Sequence, residues 1–299
     1  MIIGLDIGGT KLAAARVGPQ GHARSVKTLP TPILEGPTAI LDAAAGLVKK
    51  ISGLSEISRL GIGSAGAIDP VNGVVTSATE TLPGWNGVHL IEEMSARIEN
   101  VQRMVVRNDV HAHALGESWV GAAQGTNLAV VVIVGTGVGA SVLRAGSIDP
   151  GAHHLAGAIA HMPVASAIHP ICSCGKPGHL EAVAAGPGLV KQYHGLGGDP
   201  RVTKGHEVAI RAGRGERTAG FALDQSAMAL GRALVGIVSV VDPEVVIVGG
   251  GVTNAGPLWW DRMVTTFESE LPPALEGLEV RRAKLGSVGA IIGATCDEV

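Results

Sequence analysis

One unit occurs twice in this chain: a short apolar strand, a glycine-bounded turn carrying a threonine, and a second strand. The first copy is Met1 to Val17, MIIGLDIGGTKLAAARV, with Ile2, Ile3 and Leu5 ahead of Asp6, then Gly8-Gly9-Thr10, then Leu12 to Val17. The second is the apolar run Leu128 to Val134, then Gly135-Thr136-Gly137-Val138-Gly139, then Ala140 to Leu143. Each reads as a β-hairpin. Their recurrence reads as a weak internal repeat, two related halves that each present a Gly-rich turn. Paired glycines permit positive φ and leave the backbone bare. Bare N–H groups with a hydroxyl (Thr10), an ammonium (Lys11) and a carboxylate (Asp6) suit a polyphosphate and its Mg²⁺. An ordinary hairpin is the other reading of the stretch.

Between and beyond the hairpins, strands and helices alternate, so the class is α/β. Residues 22–37 are turn-rich. Thr38 to Ile51 has helical spacing and ends in Lys49-Lys50, favourable at a helix C-terminus. Leu60 to Ser64 is a strand, residues 65–70 a loop, and Val74 to Thr76 a short strand. His89 to Ile98 is predicted helical and Val101 to Val106 a strand. Asn108-Asp109 then stands at the cap of a helix over Val110 to Ala122. Residues 144–181 lack clear periodicity. A long helix, Ser226 to Val241, precedes the strand Val245 to Val248, which ends in Gly249-Gly250-Gly251. Gly289 to Cys296 reads as a short apolar helix. The predicted division is a smaller N-terminal domain, 1–118, which the C-terminal helix 289–299 can join, and a larger domain, 119–288.

The chain has 299 residues, enough for two domains with cores. Aromatics are 2% against 44 glycines, so the core must be Val, Ile, Leu and Ala with close backbone approaches at glycine. A formal charge of −3 without a basic run argues against a nucleic-acid surface. Three cysteines, Cys172, Cys174 and Cys296, suit no disulfide scaffold. Asp6 inside the first apolar stretch, with no basic n-region, argues against a signal peptide. Leu128 to Leu143 is broken by glycines and too short to span a bilayer. The expectation is a soluble cytoplasmic protein with no membrane partner.

Two familiar nucleotide motifs fail. Gly4 to Gly9 has P-loop spacing, but Thr10 stands where Lys is required. Gly135-x-Gly137-x-x-Ala140 fits a loose dinucleotide fingerprint, yet no helix follows and no acidic residue falls about 20 positions on. Three Gly-rich turns after three apolar strands suit one nucleotide held between two domains. Asn108-Asp109 is the candidate for chemistry. A carboxylate at a helix N-terminus can take a proton from a substrate hydroxyl, and a plain N-cap is the alternative. His161, Cys172, Cys174 and His179 cluster as a tetrahedral zinc set with no open position, hence a structural metal, with His169 a rival fourth ligand. Glu181 follows closely on that set. Trp85-Asn86 lies on a Pro-Gly turn, where packing is the commoner use of Trp than sugar stacking.

Taken together and in order, these residues resemble the ROK family (repressors, open reading frames, sugar kinases) of the actin-like ATPase, ribonuclease H-like fold. The likeness runs the whole chain: Leu5 to Lys11, Gly66 to Asp69, Asn108-Asp109 with Ala114-Leu115-Gly116-Glu117, Gly135 to Gly139, Gly157 to His161, Cys172-x-Cys174-Gly175 with Gly178, and Glu181. The resemblance implies a two-lobed sugar kinase with an interdomain cleft and a zinc-binding loop over 157–181. ATP would use Asp6, Gly8, Gly9, Thr10, Lys11, Gly135, Thr136 and Gly137, with Gly249, Gly250 and Gly251 near the adenosine. Polyphosphate is the alternative donor. Mg²⁺ would lie near Asp6, through water. Asp109 would be the catalytic base for a hexose hydroxyl, commonly the 6-OH. Gly66, Thr79, Asn108, Asp109, Gly137, His161 and Glu181 would bind the sugar. Structural Zn²⁺ would take His161, Cys172, Cys174 and His179. A homodimer or homotetramer would be the assembly.

This chain departs from the family's pattern in places. His179 replaces the usual third zinc cysteine, and Ala158 replaces the Glu that usually binds sugar hydroxyls. Losing that charge-assisted hydrogen bond costs about 1.5–3 kcal/mol of sugar binding if nothing replaces it. The loop Ser64-Ala65-Gly66 lacks the common Pro, and Ser287-Val288 stands where Asn-Asp is frequent. Leu12 to Ala15 and Trp85-Asn86 are similar to the N-acetylmannosamine kinases of the family. The expected function is phosphorylation of a hexose or N-acetylhexosamine at the 6-hydroxyl, leaning to N-acetylmannosamine, with glucokinase or a non-catalytic sugar sensor as alternatives. With the first hairpin beginning at Met1, the helix-turn-helix that precedes it in the family's repressors is not expected here.

Overall fold

The computed structural model describes residues 1–79, 81–165 and 170–297. The chain opens with β1 (Ile2–Ile7), β2 (Lys11–Val17) and β3 (Ala23–Pro30), an antiparallel meander. Then come α1 (Gly36–Ser52) and β4 (Arg59–Ser64), the latter parallel to β1. A small antiparallel pair, β5 (Ala67–Asp69) and β6 (Val74–Ser77), leads to α2 (Leu90–Arg97). β7 (Met104–Asn108) runs parallel to β4 and passes straight into α3 (Asp109–Val120). The strand order is β3-β2-β1-β4-β7.

The plan then recurs. β8 (Leu128–Val134), β9 (Val138–Arg144) and β10 (Ser147–Ile148) are followed by α4 (Leu180–Ala184), α5 (Gly186–Gly195), α6 (Gly205–Gly213) and α7 (Arg217–Val241). β11 (Val245–Gly249), α8 (Pro257–Glu270), β12 (Glu279–Arg282) and α9 (Gly289–Ala294) complete the chain. The second sheet has the order β10-β9-β8-β11-β12, the first sheet's order repeated. Both add two parallel strands to the first strand of a meander.

By internal contact the chain forms two units. One comprises Met1–Asn127, Ser141–Ala156 and the segment from Lys284 on; the other comprises Leu128–Ala140 and Gly157–Ala283. A boundary at 118/119 would cut α3, whose last turn instead stays with the first unit. Glu117 shows why. Its buried carboxylate accepts the N–H groups of Ala122, Lys284 and Leu285, tying the end of α3 to the segment that leads into α9.

In the first unit, Ile3, Leu5 and Ile7 of β1 join Leu60, Ile62, Ile40, Val48, Leu90 and Trp85 in one core. The intervening positions of β1 and β4 face the other way. There Gly4 and Gly61 pair in register, and a Cβ on either would collide with the backbone of α9, at Ile291 and Ala294. A Cβ on Gly293 would likewise strike the Ala112 carbonyl of α3. Backbone contacts backbone on this face, which is how a chain so poor in aromatics stays close-packed.

In the second unit, β8 and β11 are parallel and apolar almost throughout, the pattern of strands covered on both faces. α7 packs on α8, α6, α4 and α5. It has the length and hydropathy of a membrane span, but most of its apolar stripe is buried inside the protein. Trp259 is buried there, donating from Nε1 to Ser226 Oγ at 3.0 Å.

Two expectations change. Residues 23–30 form an edge strand; its residues, Arg24 and Lys27 among them, are exposed or half-buried, so it carries no alternating apolar pattern to reveal it. The 65–70 loop contains β5.

Candidate active site

Asp6 sits near the end of β1, on the glycine-bearing face. In register beside it on β4 is Gly63, whose Cβ would lie 3.7 Å from the Cα of Asp109. The strand end and the start of α3 are thus neighbours, and the two carboxylates are near enough for the charge of Asp109 to act on Asp6.

Asp109 is the first residue of α3, and Asn108 performs the capping. Asn108 Oδ1 accepts the N–H groups of Val110 (2.9 Å) and His111 (3.1 Å). Asn108 Nδ2 donates to Gly66 O at 2.9 Å and to Asp109 Oδ1 at 3.0 Å. Asp109 Oδ1 also accepts the Val110 N–H at 2.9 Å, while Oδ2 has no hydrogen-bond partner among the described residues. Capping therefore does not account for Asp109. Burial raises its pKa above the ordinary carboxylate range, against hydrogen bonds that lower it. Asp6 is pushed up to about 7, first by burial and then by the charge of Asp109, with Lys11 pulling the other way.

The turn after β1 is closed by Gly8 N–H donating to Lys11 O at 3.1 Å. Neither Gly8 nor Gly9 has positive φ, contrary to the conformational reason expected for them. Gly9 is bare for a different reason: its Cβ would lie 2.5 Å from Thr81 Cγ2. Thr79 and Thr81 share a hydrogen bond of 2.9 Å between hydroxyls. Gly66 does need its positive φ of 97°, and Ser77 and Val75 crowd it. Trp85 is wholly buried, its Nε1 donating to Ser64 Oγ at 3.0 Å, so it packs and does not stack on a ligand. The first unit therefore gathers Asp6, Gly8 to Lys11, Gly66, Thr79, Asn108 and Asp109.

The second unit gathers the rest. Gly135 N–H donates to Gly137 O at 2.8 Å in the β8–β9 turn. A Cβ on Gly137 would lie 2.8 Å from Glu181 Oε2, which accepts the Val138 N–H at 3.3 Å. Glu181 Oε1 accepts Ser173 Oγ at 2.5 Å. Ser173 escapes sequence reasoning because the middle position of Cys-x-Cys carries no ligand. The turn Gly249 to Gly251 ends β11, the parallel neighbour of β8, and Gly251 N would be 4.0 Å from a Cβ on Gly135. Both Gly turns thus stand at carboxyl ends of adjacent parallel strands, where open α/β sheets bind ligands. Thr136 lies in the first of them.

His161, Cys172, Cys174 and His179 come together, with one donor atom from each within 4.8 Å of every other. Cys172 Sγ is 3.7 Å from His161 Nδ1, and Cys174 Sγ is 3.2 Å from His179 Nδ1. A tetrahedral zinc with these ligand types spaces its donors by about 3.5 Å. Backbone bonds fix the loop: Cys172 N–H to Lys176 O, Gly175 N–H to Cys172 O, and Val164 N–H to Gly178 O, each 2.9 Å. The donor set fits Zn²⁺. His169 lies outside the described residues.

A family model described as ROK family matches residues 2–296. The glucokinase of Thermotoga maritima is 30% identical over 306 residues, spanning 98% of this chain and 95% of its own. The N-acetylmannosamine kinase of Escherichia coli is 33% identical over 275 residues, spanning 91% and 89%. Among solved structures, a ROK family glucokinase from Streptomyces griseus, in complex with glucose and AMPPNP, matches with a TM-score of 0.86 at 28% identity, over 98% of this chain and 97% of that one. The α/β fold is that of the actin-like ATPases.

Proposed function

The chain belongs to the ROK family, and on that premise we propose that it is an ATP-dependent sugar kinase acting on a 6-hydroxyl. The observation that carries this reading is the Asp109 carboxylate. It is relieved of capping, oriented through Oδ1, and leaves Oδ2 open to a proton. Its raised pKa brings it closer to the working range of a general base. The sugar hydroxyl attacks the γ-phosphorus; the new O–P bond forms as the bond to the β-phosphate oxygen breaks, and Asp109 takes the hydroxyl proton. Backbone amides of Gly8 to Lys11 and of Thr136-Gly137 would bind phosphates, with Gly249 to Gly251 near the adenosine.

The Asp6 carboxylate has no hydrogen-bond donor among the described residues and is repelled by Asp109. Such a group fits a hydrated Mg²⁺, which supplies charge neutralisation on the phosphates when bound with the nucleotide. Gly66, Thr79, Asn108, Gly137, His161 and Glu181 would hold the sugar. Zn²⁺ on His161, Cys172, Cys174 and His179 would fix the loop that orients His161.

For the sugar, Ala158 is the departure that bears on preference. Its methyl group offers no acceptor where the family's usual Glu binds hydroxyls, which disfavours glucose; the lean to N-acetylmannosamine rests also on Leu12 to Ala15 and Trp85-Asn86, which are similar to the kinases of that sugar. Ala158 also motivates the rival reading of a non-catalytic sugar sensor. ADP release should be measured across glucose, mannose, N-acetylglucosamine, N-acetylmannosamine, fructose and allose, for the wild type and Asp109→Asn. The wild type should turn over N-acetylmannosamine fastest, and Asp109→Asn should fold normally without sugar-dependent ADP release. Turnover surviving in Asp109→Asn refutes the role of the base. Calorimetric sugar binding without any ADP release selects the sensor.

A further inference from the structure

Thr31 follows β3 and stands beneath the turn of the first hairpin. It is 9% exposed. Its hydroxyl donates to Gly8 O at 2.7 Å, and its N–H donates to Thr10 O at 3.2 Å. One residue thus takes two carbonyls of the turn. Thr31 is itself held. Pro30 precedes it and Pro32 follows it, so its backbone is confined on both sides. Its own carbonyl accepts the Ile33 N–H at 2.9 Å.

The peptide between Gly8 and Gly9 is the one most free to rotate, because neither flanking residue carries a Cβ. In a trans peptide the C=O and N–H point in opposite directions. Fixing Gly8 O toward Thr31 therefore fixes the Gly9 N–H away from Thr31. A flipped peptide would present a carbonyl oxygen where a phosphate needs a donor. We propose that Thr31 is a positioning residue that locks the Gly8–Gly9 peptide with its N–H turned to the nucleotide phosphates. The inference rests on the kinase reading, in which this turn binds ATP.

Thr31→Val keeps the bond to Thr10 O and removes the one to Gly8 O at nearly constant volume. Thr31→Ser restores the hydroxyl. ATP and AMP binding to the full-length protein should be measured by calorimetry with Mg²⁺, alongside KM for ATP and for sugar. Thr31→Val should bind ATP roughly threefold to tenfold more weakly, the worth of one neutral hydrogen bond. AMP affinity and sugar KM should be unchanged, and Thr31→Ser should match the wild type. Equal weakening of ATP and AMP would make Thr31 a general structural residue and overturn the proposal, as would unaltered ATP binding in Thr31→Val. A wild type that binds ATP no better than AMP would instead remove the phosphate turn itself, and the proposal with it.

Discussion

Asp6→Asn should stabilise the protein while abolishing its activity, and the stabilisation should depend on pH. In the unfolded chain Asp6 ionises near its ordinary value of 3.8; in the folded protein it ionises near 7. Between those values the folded state holds more protons than the unfolded one, so stability falls as pH rises from about 4 to about 7. The penalty is absent below the lower value and complete above the upper one. At about 1.36 kcal/mol per pH unit the full gap is worth at most roughly 4 kcal/mol. Asp6 keeps part of its surface open, so water reduces this, and about 1–3 kcal/mol is expected. Asparagine has nearly the same shape and no charge, so Asp6→Asn escapes the penalty. Its melting temperature should exceed the wild type's by several degrees at pH 8 and match it near pH 4. The assay is thermal unfolding of both proteins, free of nucleotide, from pH 4 to pH 8. A difference that stays constant with pH, or a variant less stable at pH 8, refutes the reasoning. Saturating Mg²⁺ and nucleotide should shrink the difference at pH 8, because a bound cation relieves the wild type's carboxylate.

Four further perturbations test other parts of the molecule. Gly4→Ala should cost at least about 2–3 kcal/mol of stability by chemical denaturation, since its Cβ meets the backbone of α9 and not a side chain that can move. Trp85→Phe should cost about 1–3 kcal/mol, because it leaves the buried Ser64 hydroxyl without its indole donor. His179→Ala should lower bound zinc, measured by elemental analysis, well below one per chain and lower the melting temperature; zinc-free wild type with an unchanged melting temperature would refute the metal reading. Ala158→Glu should improve kcat/KM for glucose relative to N-acetylmannosamine by about tenfold or more, the worth of one charge-assisted hydrogen bond.

What the sequence made legible is what local pattern controls. β8 is an unbroken apolar run, and its observed limits, Leu128–Val134, are those its composition defines. The Cys-x-Cys pair with nearby histidines is local too, and its four donors do converge. β3 was illegible because an edge strand buries too little to impose a period. The hydrogen bonds that Thr31 and Ser173 make belong to a different category. Thr31 lies 23 residues from the carbonyl it holds, and Ser173 reaches Glu181 across the Cys loop. No periodicity encodes such contacts; they follow from the tertiary path of the chain.

The glycines make the sharpest case for reading tertiary contact over local conformation. A Gly-Gly-Thr turn suggests a need for positive φ, yet Gly8 and Gly9 lie outside that region, as do Gly135 and Gly137. In both hairpins the missing side chain makes room for something else. At Gly9 it is Thr81, hydrogen-bonded to Thr79; at Gly137 it is the carboxylate of Glu181. The two sheets share one strand order, and each turn is packed against a residue or segment proposed to hold the sugar. The same bare turn occurs twice, and what packs against each turn makes them different. The first stands near an acid pair, Asp6 and Asp109, whose repulsion helps to raise the pKa of Asp6. The second is joined through Glu181 and Ser173 to the loop of the Cys/His cluster. Half of what distinguishes each hairpin lies in its own sequence. The other half is a set of contacts that a glycine permits and does not itself specify.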